Sequence, residues 1–312
     1  MRLLVLGAGA VGGYFSGHLA AAGVDVTFLV RERRARQLAE QGLRILDPKG
    51  DLAIAAPKLL VAGRSAPPEP PFFDVVLLTC KAYDLDDAME AIAPHLGPET
   101  AILPLLNGMA HLDRLDARFG THRVLGGFCQ VAATLTPSGE IRHLNDIHRI
   151  VFGERDGTRG PRVSALAELM SRAPFQSRAS DDILLEMWEK WVMLASLAGM
   201  TCLMRGSVGD IVAADEGRRF TEQLLAECAT IAGAAGYPPR PQALEQSRTI
   251  LTTPGSTFTA SMLRDIERGG PTEGDHVLGD LVARAAAFGV EAPLLRVAAC
   301  HLQVYERRRG RS

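Results

Sequence analysis

Apolar residues in the first half of the chain come in short runs separated by small-residue or mixed stretches. Residues 2–6 (RLLVL) read as a strand, 11–22 as a helix of small residues, and 24–30 as a second strand. Residues 73–79 (FDVVLLT) form a nearly continuous apolar run, the pattern of a strand buried on both faces. A helix is predicted from 84 to about 95 and another strand over 100–105. This strand–helix alternation predicts a parallel, doubly wound α/β sheet. The stretch 126–153 differs, being rich in β-branched residues around a Pro137-Ser138-Gly139 turn. It reads as hairpin-like strands closing the sheet. A helix over 161–172 ends this region. The run SAPPEPP at 65–71 reads as a loop too short to link domains.

From Ser180 onward the periodicity is helical, with breaks at Gly206, at 236–239, at 253–255 and at 269–271. Residues 183–204 form one long apolar helix. Its uncharged stretch, 191–204, has 14 residues, whereas a membrane span needs about 20. Glu186, Glu189 and Lys190 stand just before it, so it reads as a buried core helix. No repeat of solenoid period occurs. At about 150 residues per domain, 312 residues suggest two. The pattern divides them into 1–178, an α/β Rossmann-type domain, and 179–312, an all-α domain.

Composition narrows the function. Hydrophobic residues make up 47% and charged residues 22%, ordinary globular usage. Net charge is 34 − 36 = −2, without the basic excess of a nucleic-acid binder. The basic tail at 307–311 reads as a solvated end. Five cysteines without CxxC spacing predict no metal site and fit a reducing, cytoplasmic compartment. Glycines at 7, 9, 12 and 13 interrupt the first apolar run, which speaks against a signal peptide.

Those glycines carry chemistry. Gly7, Ala8, Gly9, Ala10, Val11 and Gly12 form GxGxxG, placed after a strand and opening a helix. The first glycine permits the tight turn, the second lets backbone approach a pyrophosphate, and the third lets helix pack on strand. The helix N-terminus then offers free N–H groups to phosphate. An NAD site usually has Asp or Glu at the end of the next strand. Here the strand ends at Val30 and Arg31, with Arg33 and Arg34 beyond, which favours the 2′-phosphate of NADP. Lys81 and Asn107 each follow a predicted parallel strand at its carboxyl end, where ligands bind in such sheets.

In the second half, Lys190 lies in a helix too apolar for the surface. Burial lowers a lysine pKa, which suits a general acid near neutral pH. Snorkelling toward Glu186 or Glu189 explains its position equally well. Near the end, residues 261–268 (SMLRDIER) read as a helix, and Gly270-Pro271-Thr272-Glu273 opens the next one. Thr272 is placed to cap it, and capping alone accounts for Glu273 in its first turn.

Together these residues resemble the ketopantoate reductase (2-dehydropantoate 2-reductase) family. The resemblance rests on GAGAVG, Arg31, Cys80-Lys81-Ala82, Asn107-Gly108-Met109, Trp188-Glu189-Lys190, and SMLRDIERG followed by Pro271-Thr272-Glu273. It implies a Rossmann domain joined to a helical domain, with the active site in the cleft between them. It implies NADPH as hydride donor to the 2-oxo carbon of a small acid. Lys190 matches the lysine that protonates the nascent alkoxide, and Glu273 the glutamate associated with cofactor and lysine. Asn107 matches an asparagine contacting cofactor and substrate, and Ser261 a substrate-binding serine. Lys81 and Arg31 match cofactor contacts.

Four positions depart from the family pattern. Asparagines expected four and eight residues after the lysine, on its helix face, are Leu194 and Ala198. Two more are replaced by Val208 and Phe258. Those asparagines bind the hydroxyl and carboxylate ends of the substrate, so their loss points to a more apolar partner on this wall. The leading expectation is NADPH-dependent reduction of ketopantoate to pantoate, a step of pantothenate biosynthesis. The alternatives are a related two-domain dehydrogenase acting on a more apolar carbonyl or imine, and a non-catalytic NADP-binding sensor. No membrane or nucleic-acid partner is expected, and a homodimer is compatible with the apolar helical domain.

Overall fold

The computed structural model describes residues 1–64 and 72–311. The loop read at 65–71 lies outside the described residues. The chain divides into two compact units: Met1–Leu106 with His111–Ile183, and Asn107–Ala110 with Leu184–Ser312. The sequence pattern draws its boundary at 178/179. The units part at 183/184 instead, and the segment 107–110 counts with the second.

The first unit runs β1 (Arg2–Leu6), α1 (Ala10–Ala21), β2 (Asp25–Val30), α2 (Glu32–Gln41), β3 (Leu43–Leu46), β4 (Leu52–Ile54) and β5 (Lys58–Val61). It continues with β6 (Phe73–Leu78), α3 (Leu85–Ile92), β7 (Leu96–Pro104), α4 (Ala110–Phe119), β8 (Gly126–Leu135), β9 (Ile141–Gly153), α5 (Pro161–Met170) and β10 (Gln176–Ala179). Five strands form a parallel sheet in the order β5-β2-β1-β6-β7. Counted along the chain within this sheet, that is 3-2-1-4-5, the order of a dinucleotide-binding fold. Leu3, Leu4 and Val5 of the central strand have no exposed surface, as its apolar run requires.

The hairpin expectation needs correcting. β8 and β9 do pair antiparallel, but they join β3, β4 and β10 in a second, mixed sheet instead of closing the first. Beside β8, Leu125 N–H donates to Ile102 O of the first sheet. The reason lies in α1, which is sandwiched between the sheets. A Cβ on Gly13 would stand 2.3 Å from Ile141 Cδ1, and one on Gly17 2.8 Å from Ile45 Cδ1. Glycine in a helix costs about 1 kcal/mol relative to alanine. The close approach of the second sheet offsets that cost by burying Tyr14, Phe15 and Leu19 completely.

The second unit is helical: α6 (Ile183–Met204), α7 (Val208–Ala213), α8 (Gly217–Ala234), α9 (Pro241–Leu251), α10 (Ser261–Glu267), α11 (Asp280–Ala287) and α12 (Pro293–Arg309). A π-helical stretch, Asp275–Gly279, leads into α11. Local chemistry sets several ends. Ser207 and Asp210 form a capping box on α7. Buried Glu227 of α8 accepts from Leu294 N–H (3.3 Å) and Leu295 N–H (2.9 Å), placing a carboxylate on the N-terminus of α12. Arg205, in the left-handed region at φ 56°, ends α6.

Candidate active site

The phosphate loop occupies the turn from β1 into α1. Gly7 has φ 93°, and its N–H donates to Leu29 O (2.9 Å). A Cβ on Gly12 would stand 2.3 Å from both Gly7 O and Thr79 Oγ1, so this glycine seats the helix on the strands. Around Gly9 a Cβ would meet nothing within 4 Å. The three glycines thus divide into turn, open face and packing contact. Ala8 is buried, Ala10 opens α1, and Val11 packs against the core of this unit. Thr79 Oγ1 donates to Leu6 O (2.8 Å), tying the end of β6 to the end of β1.

A cavity of about 1370 Å³ opens over this loop, within the first unit. Its walls are the carboxyl ends of the parallel strands: Leu6–Gly9, Leu29–Arg31, Ala62–Arg64 and Cys80. Arg31, Arg33, Arg34 and Arg64 line it as well. Arg31 is exposed and ion-paired, its Nη2 standing 2.7 Å from Asp84 Oδ1 and 3.4 Å from Asp87 Oδ2. The hydrogen bond and charge of Asp84 push its pKa up. Arg34 turns inward, donating to Ala8 O (3.1 Å) and Gly139 O (2.9 Å), and burial lowers its pKa. Lys81 is half-buried and stands at the start of the short turn Ala82–Asp84, between the cavity residues Cys80 and Asp84.

The second unit brings Asn107 and Lys190 together. Lys190 Nζ donates to Asn107 Oδ1 at 3.0 Å, and both side chains are half-buried. Glu189, one of the two carboxylates considered for Lys190, is engaged by Arg240 through Nε (2.8 Å) and Nη2 (2.5 Å). Gly108 has φ 76°, and a Cβ there would stand 3.1 Å from His276 O.

Glu273 is 5% exposed and precedes the π-helical stretch. Thr272 Oγ1 accepts from Gly274 N–H (3.3 Å), but the helical stretch begins after it with no side-chain cap, so Thr272 is not the cap and Glu273 precedes the first turn. Glu273 O accepts from Val277 N–H (2.9 Å), and Val277 O accepts from Trp191 Nε1 (2.9 Å). The segment that Glu273 opens is thereby tied to the turn of α6 that carries Lys190. Such π-helical turns are often found at functional sites. Ser261 is half-buried and is the first residue of α10.

The four departing positions do not form one exposed wall. Leu194 is half-buried, Ala198 has no exposed surface, Val208 is 3% exposed and Phe258 is 45% exposed. Val208 N–H donates to Phe258 O (3.0 Å), which fixes residue 258 on the start of α7. Two of the four have therefore been absorbed into the core.

Comparison with known proteins decides the family. Residues 3–157 match the model of ketopantoate reductase PanE/ApbA, and residues 182–306 match its C-terminal model. The chain is 40% identical over 306 residues to the uncharacterized oxidoreductase YkpB of Bacillus subtilis, covering 98% of this chain and 99% of that one. The chain belongs to the ketopantoate reductase family.

A 2-dehydropantoate 2-reductase of Mesorhizobium japonicum is 29% identical over 296 residues, 88% of each chain. The crystal structure of 2-dehydropantoate 2-reductase from Geobacter metallireducens superposes with TM-score 0.87 at 29% identity, covering 97% and 99% of the two chains. As a member of this reductase family, the protein is an oxidoreductase that uses a nicotinamide dinucleotide. The loop fits that cofactor, because the open space over Gly9 and the N-terminus of α1, which has no side-chain cap, suit a pyrophosphate. Among the described residues no cluster of His, Cys, Asp or Glu is arranged to hold a metal ion, and no helix is long and apolar enough to cross a membrane.

Several residues of the site escaped the motif reading. Thr79 gives no signal beyond ending an apolar run. Asp84 and Asp87 read only as part of the helix predicted from 84. Trp191 reads as core. Each acquires its role from a partner far away in sequence.

Proposed function

We propose that the protein reduces a 2-oxo acid to the 2-hydroxy acid with NADPH, and that ketopantoate, giving pantoate, is its substrate. The observation that carries the proposal is the Lys190–Asn107 pair on a chain of this family. When bound, the cofactor would supply the hydride for the 2-oxo carbon. Lys190 holds the proton at Nζ and releases it to the carbonyl oxygen as that oxygen gains charge. Asn107 Oδ1 orients that ammonium and limits its rotamers. Glu273, buried and held by the π-helical turn, is assigned the glutamate role that the resemblance implies. Ser261 is assigned to the substrate carboxylate. The loop 7–12, Arg31 and Lys81 are assigned to the cofactor, with arginines at the end of β2 favouring NADPH over NADH. The odd count of five cysteines, none in CxxC spacing, supports a reducing, cytoplasmic setting, where pantothenate formation would take place.

A second reading keeps the chemistry and changes the substrate. Half-buried Leu194 stands four residues from Lys190 on α6, where a polar side chain would meet a substrate hydroxyl. A 2-oxo acid with an apolar chain suits that residue better. The test is NADPH oxidation with ketopantoate and with unbranched and aromatic 2-oxo acids, with the products identified. Formation of pantoate at the highest kcat/KM supports the first reading. A higher kcat/KM on an apolar acid selects the second. Reduction of none of them overturns both.

A further inference from the structure

The ion pairs of Arg31 bear on cofactor choice. Arg31 directly follows β2, on the side of the cavity where the adenosine ribose of a dinucleotide lies in this fold. Asp84 and Asp87 come from the other side, from the turn after β6 and the first turn of α3. All three line the cavity, and Arg31 Nη2 reaches both carboxylates, at 2.7 and 3.4 Å. Arg64, on a third edge of the cavity, is likewise paired, with Glu32 at 2.8 Å. A cation already serving two carboxylates is not simply available to a phosphate.

We infer that Asp84 and Asp87 are specificity-determining residues that compete with the cofactor's 2′-phosphate for Arg31. The inference rests on reading this cavity as the nicotinamide-cofactor site. A 2′-phosphate must either draw Arg31 away from Asp84 or accept two like charges nearby. A 2′-hydroxyl faces neither cost. Arg31 is 66% exposed, Asp87 81% and Asp84 32%, so the pairs are largely open to solvent on the arginine side and yield to a doubly charged group. The carboxylates therefore narrow the preference for NADPH over NADH without abolishing it.

Binding of NADPH and NADH, followed by calorimetry on the protein without substrate, tests this. The variants are Asp84→Asn, Asp87→Asn and the double variant, each also placed in an Arg31→Ala background. The expected result is NADPH binding about fivefold tighter or more in the double variant, with NADH affinity within about twofold of wild type. In the Arg31→Ala background the gain for NADPH should shrink, because only the direct repulsion between the carboxylates and the phosphate is then relieved. Weaker NADPH binding by Asp84→Asn would overturn the inference, because the carboxylate would then be orienting Arg31 for the phosphate. So would equal gains for both nucleotides, or a gain for NADPH undiminished without Arg31. The assay needs no turnover, so a wrong assignment of the oxo acid leaves its outcome unaffected. Failure of the wild type to bind either nucleotide would sink the cofactor reading itself.

Discussion

The turn from β1 into α1 and the helix α6 are both parts of a candidate catalytic apparatus, yet they follow their family pattern to different degrees. In the turn every glycine has a separate geometric duty, and none is replaced. In α6 the lysine stays, but the asparagine positions four and eight residues on are Leu194 and Ala198. A dinucleotide presents the same pyrophosphate to every enzyme that binds it, so backbone geometry at its site has little freedom. A substrate differs from one enzyme to another, so on the proposed assignment the positions following the lysine are free to vary while the proton donor stays.

The contrast can be broken first at the glycines. Gly12→Ala puts a Cβ 2.3 Å from the backbone oxygen of Gly7, a contact that no side-chain movement relieves. A stability loss of about 1–3 kcal/mol is expected, read by thermal or urea unfolding. Gly9→Ala meets nothing within 4 Å and has an ordinary extended backbone at φ −88°. It should leave stability unchanged and weaken nucleotide binding, because the added methyl occupies the cofactor's space. Equal loss of stability in both variants would contradict the division of duties among the three glycines.

At α6 the corresponding pair is Ala198→Asn and Leu194→Asn. Ala198 has no exposed surface, so an asparagine there buries an amide without a prepared partner, at a cost of about 1–3 kcal/mol. Leu194 is half-buried, and Leu194→Asn should fold with a smaller loss. If the apolar reading of the substrate is right, Leu194→Asn also raises kcat/KM for ketopantoate relative to an apolar 2-oxo acid. An unchanged ratio would remove Leu194 from the specificity argument.

The smallest expected effect is a pH dependence of the first unit. Tyr14 OH donates to Asp47 Oδ2 (3.0 Å), His148 Nδ1 lies 2.7 Å from the same hydroxyl, and His143 Nδ1 lies 2.8 Å from Asp47 Oδ2. His18 stacks edge-on against Tyr14, with a buried Nε2 that has no hydrogen-bond partner among the described residues. Burial pushes the pKa values of His18 and His148 below the ordinary 6.5. Folding therefore favours their neutral forms. That stability is present above pH 6.5 and is lost as pH falls below it toward the depressed folded values. The melting temperature should drop over that window, and His18→Gln should flatten the drop. Asp47, whose pKa is lowered, acts in a separate window, losing its contribution only as pH falls below its ordinary 3.8. A melting temperature constant from pH 7 to 5 would contradict the histidine assignment.

The legibility of the sequence followed the same contrast. Strong apolar periodicity gave four of the five parallel strands, all but the short edge strand β5, and the 22-residue α6, whose bounds agree with the structure. The second sheet was not legible as a sheet, because β3, β4 and β10 are three or four residues long and carry little apolar pattern. Their partners lie far away in sequence, as in the pairing of Ile45 with Ile141. In the site, GxGxxG could be read from spacing alone. The Lys190–Asn107 contact joins residues 83 positions apart, and only the family resemblance had put them in one site. The arginine at the end of β2 could be read as a phosphate reader, but its engagement by Asp84 and Asp87 could not. The burial of Ala198 and Val208 also came only with packing, since helix periodicity places residues on a face without saying what covers it.

The central claim is a division of labour, with the phosphate loop holding the cofactor and Lys190 handling the proton. The most direct measurement compares wild type with Lys190→Ala on the same samples, reading NADPH affinity by calorimetry and 2-oxo acid reduction by NADPH oxidation. The account predicts unchanged NADPH affinity with turnover lowered about 10²–10⁴-fold. Turnover close to wild type would contradict it, because the proton would then come from elsewhere.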